Sequence, residues 1–234
     1  MLGDPRLFIV SAIFLIPAIV IAIPVHELAH VYAARALGDE SPRRQGYLRS
    51  WRNWFSPYGV AAALLLRVGW GEEPPVNEYR LGGAGRRLIY ALSGPLANLV
   101  LAVPFGIAAR VLLEQGNLVD FTTWIQPPLS DLVYLLYALF FFNLAMFAFN
   151  LLPIPGLDGW RVLEALFRGV RPKLFFDAGV RRREVWAVCA VALFLSYFIG
   201  LNLLGWAMSP FYHPASALIM GSCQGYPGLQ PCLP

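Results

Sequence analysis

Apolar residues in this chain come in long unbroken runs, not in the alternating or three-to-four-spaced stripes of a half-buried soluble element. Four runs, Leu7–Leu37, Leu88–Leu113, Asp131–Leu152 and Val185–Met208, are each long enough to cross about 30 Å of hydrocarbon as a helix. Pro17 and Pro24 fall in the first and Pro95 and Pro104 in the second; membrane helices accept such prolines where neighbours satisfy the freed carbonyls. A fifth apolar run, Tyr58–Gly71, within a segment of about 58–76, is too short to span and contains Arg67. It predicts a re-entrant or interfacial segment. No internal repeat, low-complexity linker or inserted soluble domain interrupts the pattern. The expected fold is an all-α polytopic membrane protein with about four transmembrane helices. Residues 1–208 would form one intramembrane domain and residues 209–234 an extracytoplasmic tail.

Composition supports the membrane reading. Of 234 residues, 58% are hydrophobic and 14% charged, where a soluble domain carries about a quarter charged residues. The net charge of +4 matters less than where the charges fall. With the N-terminus outside, the stretches 35–87 and 161–183 are cytoplasmic and hold all but Arg6 and Arg110 of the 18 basic residues. Arg181–Arg183 then marks a membrane boundary facing lipid headgroups, not nucleic acid. The first run lacks a positive n-region and a small-residue cleavage site, which argues against a removable signal peptide. No Cys-x-x-Cys pair is present, which disfavours thiolate metal binding. Cys223 and Cys232, in the predicted outer tail, either form a disulfide or remain free thiols.

Three polar clusters break the apolar runs at one predicted depth. His26-Glu27-Leu-Ala-His30 ends a charge-free stretch that begins at Leu7. The two imidazoles are four residues apart, so on a helix they share a face, with the spacing of a two-histidine zinc site beside a glutamate. Ser93-Gly94-Pro95-Leu-Ala-Asn98 opens the second run, and Asn150-Leu-Leu-Pro153-Ile-Pro155-Gly-Leu-Asp158 closes the third. With the first helix running inward, the second outward and the third inward, all three clusters arrive at the cytoplasmic side. A catalytic zinc site takes three protein ligands and leaves a fourth position open, and Asp158 is the candidate third ligand. Asp158 could equally cap the helix that follows it, or do both. Glu27 points off the ligand face and can move a proton from the attacking water to a leaving amine. Asn150 and Asn98 could hold a substrate backbone or a developing oxyanion. Asn150 could also serve only the Pro153–Pro155 loop, and the Ser93–Pro95 patch could be helix packing.

These motifs, in this order, resemble the site-2 protease family of intramembrane zinc metalloproteases. The resemblance covers most of residues 7–165. It implies one Zn2+ held by His26, His30 and Asp158, with Glu27 as acid/base and Asn150 assisting substrate or transition-state binding. Ser93, Gly94, Pro95 and Asn98 would pack the second core helix beside the site, and Pro153 and Pro155 would line it. It implies hydrolysis of a peptide bond in or near a transmembrane segment of another membrane protein within the bilayer. Regulated intramembrane proteolysis or clearance of leftover signal peptides are the expected settings. The family's PDZ or CBS domains have no room here. Its strand-like membrane segment would correspond to about 58–76, and pairing of extended substrate with that edge is the expected recognition mode. Two other classes stay open: a catalytically silent zinc-binding partner, and an ion transporter. The absence of acidic and histidine residues from the outer halves of the helices counts against transport.

Overall fold

The computed structural model describes residues 5–114, 129–167 and 181–221; Cys223 and Cys232 lie outside these. Among the described residues there is no strand, and three helices are long and apolar enough to cross a membrane. They are α1 (Pro5–Ala36), α5 (Ala84–Glu114) and α6 (Leu129–Asn150). Between the first two lie α2 (Ser41–Arg44), two 3-10 turns over Tyr47–Arg49 and Trp51–Trp54, α3 (Pro57–Leu66) and α4 (Glu78–Leu81). α7 (Asp158–Leu166), α8 (Arg182–Phe198) and α9 (Leu203–Met220) follow.

The site is positioned by how the long helices divide their faces. On α1, Leu15, Ala18, Ile19, Ala22 and Ile23 are buried, and the same stripe continues one turn at a time into His26 and His30. Ile13, Ile16 and Val20 stand exposed on the other side, as do Ile89, Val100 and Ile107 on α5. Exposed apolar belts of this extent are untenable in water and expected against lipid. α6 has Phe140, Phe142, Leu144, Ala145 and Met146 all buried, so it is wrapped by its neighbours. α1, α5 and α6 pack on one another, and α9 closes the far side against α5 and α6. Gly106 permits part of that closure: a Cβ there would meet Ile219 of α9 and the Phe140 ring.

Three sequence expectations change. The single span Val185–Met208 is two helices, α8 and α9, broken at Gly200 with φ +79° and restarted by Asn202, whose side chain accepts from the Gly205 N–H. Residues 209–220 do not leave as a tail. They complete α9, with Tyr212, Ser216 and Ile219 buried. The 58–76 segment is strand-like only in its second half: Tyr58–Leu66 is helical, and after Arg67 the backbone is extended, with an antiparallel bridge between Gly71 and Phe55. The α3 sequence explains this. Pro57 sits at the first helical position and is followed by alanines and leucines, all good helix formers.

The extended strap that follows, residues 68–77, is tied down at three places. The Glu72 N–H donates to the Trp54 carbonyl at 3.2 Å, the Tyr47 hydroxyl donates to the Glu72 carbonyl at 2.5 Å, and the Asn77 N–H donates to Asp39 Oδ2 at 2.7 Å. Asp39 also accepts from the Ser41 hydroxyl at 2.6 Å and the Ser41 N–H at 3.1 Å. Burial opposes its ionisation, but these bonds outweigh burial and hold its carboxyl below the usual range. A depressed folded pKa contributes stability that is full above about pH 4 and lost as pH falls through the folded value. Asp39→Ala is therefore expected to lower stability by roughly 1–3 kcal/mol, because three part-buried donors lose a charged acceptor. The difference from native should shrink in acid, as read by thermal unfolding in detergent at pH 7 and pH 4.

Candidate metal centre

His26, His30 and Asp158 come from segments more than a hundred residues apart and meet in the interior. His26 Nε2 lies 3.0 Å and His30 Nε2 3.1 Å from Asp158 Oδ2, and the two Nε2 atoms are 3.2 Å apart. All three residues are below 5% exposed. They are the one His/Cys/Asp/Glu group of metal-ligand geometry among the described residues.

The partners of the other ring nitrogens set the tautomers. His30 Nδ1 lies 3.0 Å from the Tyr90 carbonyl, which can only accept, so Nδ1 carries the hydrogen. Ser93 Oγ also lies 3.1 Å from that nitrogen while donating to the same carbonyl at 2.7 Å. His26 Nδ1 lies 2.7 Å from Asn98 Oδ1. The Asn98 amide nitrogen is committed as a donor to the Ala22 carbonyl and to Asn143 Oδ1, each at 3.0 Å, so its oxygen accepts from His26. The Asn143 amide nitrogen donates to the Leu139 carbonyl at 2.8 Å, which fixes the orientation of the chain of amides. Both imidazoles thus present bare Nε2 lone pairs to the Asp158 carboxylate.

Three electron-rich atoms, mutually about 3 Å apart and buried, repel one another unless a cation lies between them. Zinc bonds of about 2.0–2.1 Å in tetrahedral geometry place ligand atoms roughly 3.3 Å apart. The donor set, two neutral imidazoles and one carboxylate with every Nδ1–H anchored, therefore fits zinc in both chemistry and spacing.

Local sequence explains the convergence. Gly94 lies so close over the imidazoles that a Cβ there would overlap both Nε2 atoms. Pro153 and Pro155 stop α6 and turn the chain, Gly156 takes φ +113°, and Gly159 packs directly against the Leu151 and Leu152 carbonyls. The reversal delivers Asp158 as the first residue of α7. Leu157 holds the cap position and makes no side-chain capping bond, and Asp158 Oδ1 accepts from the Arg161 side chain of α7.

Glu27 is buried beside this cluster but is not one of the converging atoms. The Gly71 N–H donates to it, and the Tyr47 hydroxyl lies within hydrogen-bond reach. A Cβ at Gly71 would strike the Glu27 carboxylate and the Trp54 carbonyl, so the strap lies on the glutamate at backbone contact. Burial, with the Glu27 and Glu72 charges beside it, pushes the Tyr47 phenol far above its ordinary range and keeps it a neutral hydroxyl.

The structure also separates residues that the sequence had grouped. Asn98 does not face an open cavity; it orients His26. Ser93 stands against His30. Asn150 is buried, and its amide donates to the Met146 carbonyl at 2.9 Å, one turn back on its own helix. Asn143, Tyr90, Tyr47, Gly71 and Arg161 were not singled out from sequence. Asn143 alone carried a readable signal, an amide inside an otherwise apolar span.

Comparison with known proteins gives a consistent result. The sequence profile of peptidase family M50 matches residues 14–197. A Bacillus subtilis protein named "Putative zinc metalloprotease YwhC" is 33% identical over 171 residues, which cover 69% of this chain and 73% of that protein. "Putative zinc metalloprotease Rip2" of Mycobacterium tuberculosis is 27% identical over 82% of this chain and 69% of its own length. The protein of that name from Mycolicibacterium smegmatis is 28% identical over 68% of this chain and 60% of its own length. No solved structure matches.

Proposed function

The chain belongs to peptidase family M50, the site-2 protease family, and is an intramembrane zinc metalloprotease; from that premise we propose that it hydrolyses a peptide bond in or near a transmembrane segment of a membrane protein, with His26, His30 and Asp158 holding one zinc ion and Glu27 moving the proton. The observation that carries this reading is the convergence of two bare Nε2 lone pairs and one carboxylate oxygen within 3.0–3.2 Å.

Bound zinc would supply Lewis-acid polarisation of the scissile carbonyl and acidify the attacking water. The chain's own residues do the rest. Glu27 accepts the proton of the attacking water on its carboxylate and hands it to the departing amine as the C–N bond breaks. The Gly71 N–H and Tyr47 hold that carboxylate in place. The Tyr90 carbonyl, Ser93, Asn98 and Asn143 hold the imidazoles at the right tautomer and angle. Ser93, Gly94 and Pro95 let α5 approach the site, and Pro153 and Pro155 free the α6 end to turn back. Asn150 braces that turn. The position of Glu27, adjacent to the converging atoms yet not among them, favours a protease over a silent metal holder or a transporter. In this reading the N-terminus is extracytoplasmic and the site opens near the cytoplasmic face, supported by the arginines gathered in 35–87 and 161–183.

Purified protein should carry one zinc per chain and cleave a membrane-spanning peptide in proteoliposomes. Chelation should stop cleavage and added zinc restore it. His26→Ala and Asp158→Ala should both lose the metal. A full metal complement in Asp158→Ala would remove it from the ligand set, and cleavage indifferent to chelation would overturn the metalloprotease reading.

A further inference from the structure

Three acidic side chains from two distant parts of the chain converge on one guanidinium. Arg161 Nη1 donates to Asp158 Oδ1 at 3.2 Å, Nη2 pairs with Glu73 of the strap, and Nε lies 4.0 Å from Glu78 Oε1 at the start of α4. The guanidinium lies over the Tyr90 ring at 5.6 Å, and its side chain is 11% exposed. Arg87 approaches the second oxygen of Glu78 at 3.6 Å.

The two oxygens of Asp158 are thus divided. Oδ2 faces both imidazoles and Oδ1 faces Arg161. A carboxylate turns readily about its last torsion, whose preference is broad and two-fold. Without a partner on Oδ1, nothing on α7 would keep Oδ2 turned inward. Arg161 lies three residues after Asp158, on the same helix face, and its fork addresses several acceptors in one plane. The groups that orient metal ligands commonly set affinity by 10–100-fold. The same guanidinium also holds Glu73 within the strap lying across Glu27 and Glu78 just beyond its end.

We propose that Arg161 is a positioning residue: it orients the Asp158 carboxylate for the metal and couples that orientation to closure of the 68–77 strap over Glu27. This rests on His26, His30 and Asp158 being the metal ligands. The coupling has a physical consequence. Movement of the strap removes Glu73 and Glu78 from Arg161, so the guanidinium and the Asp158 carboxylate respond together when the site opens.

The test uses the purified full chain in detergent, with zinc affinity measured by competition with a chromophoric chelator and ligand geometry by the visible spectrum of the cobalt-substituted protein. Arg161→Met is expected to weaken zinc binding about 10–100-fold and to alter the cobalt spectrum. Arg161→Lys, which keeps the charge but not the fork, should recover only part of both. The double variant Glu73→Gln/Glu78→Gln should release zinc to excess chelator faster than native protein, because the strap is no longer latched. Native affinity and an unchanged spectrum in Arg161→Met overturn the positioning role, and a native release rate in the double variant overturns the coupling. Should Arg161→Met fail to fold, Arg161→Lys decides: loss of affinity or a changed spectrum supports the role, and native values of both overturn it. Failure of the underlying site assignment would read differently, as absence of zinc from the native protein itself.

Discussion

Glu27→Gln is expected to leave the protein folded and zinc-loaded and to lower kcat/KM on a membrane-spanning substrate by about 10²–10⁴-fold, the range a positioned general base contributes. Glutamine keeps the shape of the side chain. Its carbonyl oxygen can still accept from the Gly71 N–H, and the Tyr47 hydroxyl still has the Glu72 carbonyl as its acceptor. Removing a charge from a site 5% exposed does not strand any partner, because no salt bridge holds Glu27 among the described residues. What glutamine cannot do is take a proton from the attacking water. The measurement pairs cleavage kinetics with zinc stoichiometry on the same preparation. Native kinetics with full zinc would remove Glu27 from the reaction. Loss of zinc together with activity would instead make it part of the metal centre, contrary to its place outside the three converging atoms.

The strap sharpens this expectation. Glu27 is covered at backbone contact by Gly71, and the two residues that follow Gly71 are tethered, Glu72 to the Trp54 carbonyl and Glu73 to Arg161. A closed site of this kind keeps bulk water from the carboxylate, and entry of a substrate calls for the strap to move. Segments that must move in this way are drawn from the less stable parts of a fold. The strap fits that description in having a few discrete tethers, at Tyr47, Trp54, Asp39 and Arg161, in place of a ladder.

What could be read from sequence follows from which physical rules are local. That His26 and His30 share one face was legible because helical periodicity fixes their relation without tertiary knowledge. That Asp158 could reach them was an expectation from the order and direction of the runs, and the structure brings its carboxylate to both rings. The identity of the atoms was not legible: that Oδ2 faces both imidazoles while Oδ1 faces Arg161 depends on the turn at Gly156 and the packing of Gly159, which no periodicity encodes. Tyr47 and Gly71 lie in irregular backbone, where sequence spacing does not specify neighbours. The single span over 185–208 failed because a hydropathy average runs across Gly200 and Asn202, although a glycine followed by an N-capping asparagine is a stop and a start at the residue level. The strand-like reading of 58–76 failed over its first half because a family expectation was set above local propensity, and Pro57 with its alanines and leucines had already favoured a helix.

Gly94→Ala is expected to produce the largest loss of metal of any single methyl addition to the chain. Among the described glycines, Gly94 alone has both histidine Nε2 atoms as the nearest neighbours of a built Cβ. The collision is with the metal-facing edge of two rings that cannot retreat. His26 is held from behind by Asn98 at 2.7 Å and His30 by the Tyr90 carbonyl at 3.0 Å. Relief therefore requires α5 to back away from α1, which breaks those same two bonds and releases the rings from their tautomers. Either route removes the three-atom convergence, so zinc affinity should fall by more than about 10²-fold, beyond the effect of losing one orienting partner. Alanine favours a helix over glycine by roughly 0.5–1 kcal/mol, which offsets only part of an overpacking cost of about 1–3 kcal/mol, so the metal-free protein should lose some thermal stability and its folded fraction should lose the metal. Gly85→Ala, at an α5 position where a Cβ meets nothing within 4 Å, is the matched control and should bind zinc as native protein does. Gly106→Ala, which strikes Phe140 and Ile219 on the opposite side of the bundle, should lower stability while sparing zinc affinity in the folded fraction. The contrast among the three, measured by zinc competition and thermal unfolding on each variant, separates a helix packed on a metal centre from a helix that merely packs. Native zinc affinity in Gly94→Ala would mean that α5 does not press on the imidazoles, and the arrangement of bare Nε2 atoms beneath it would then have to be abandoned.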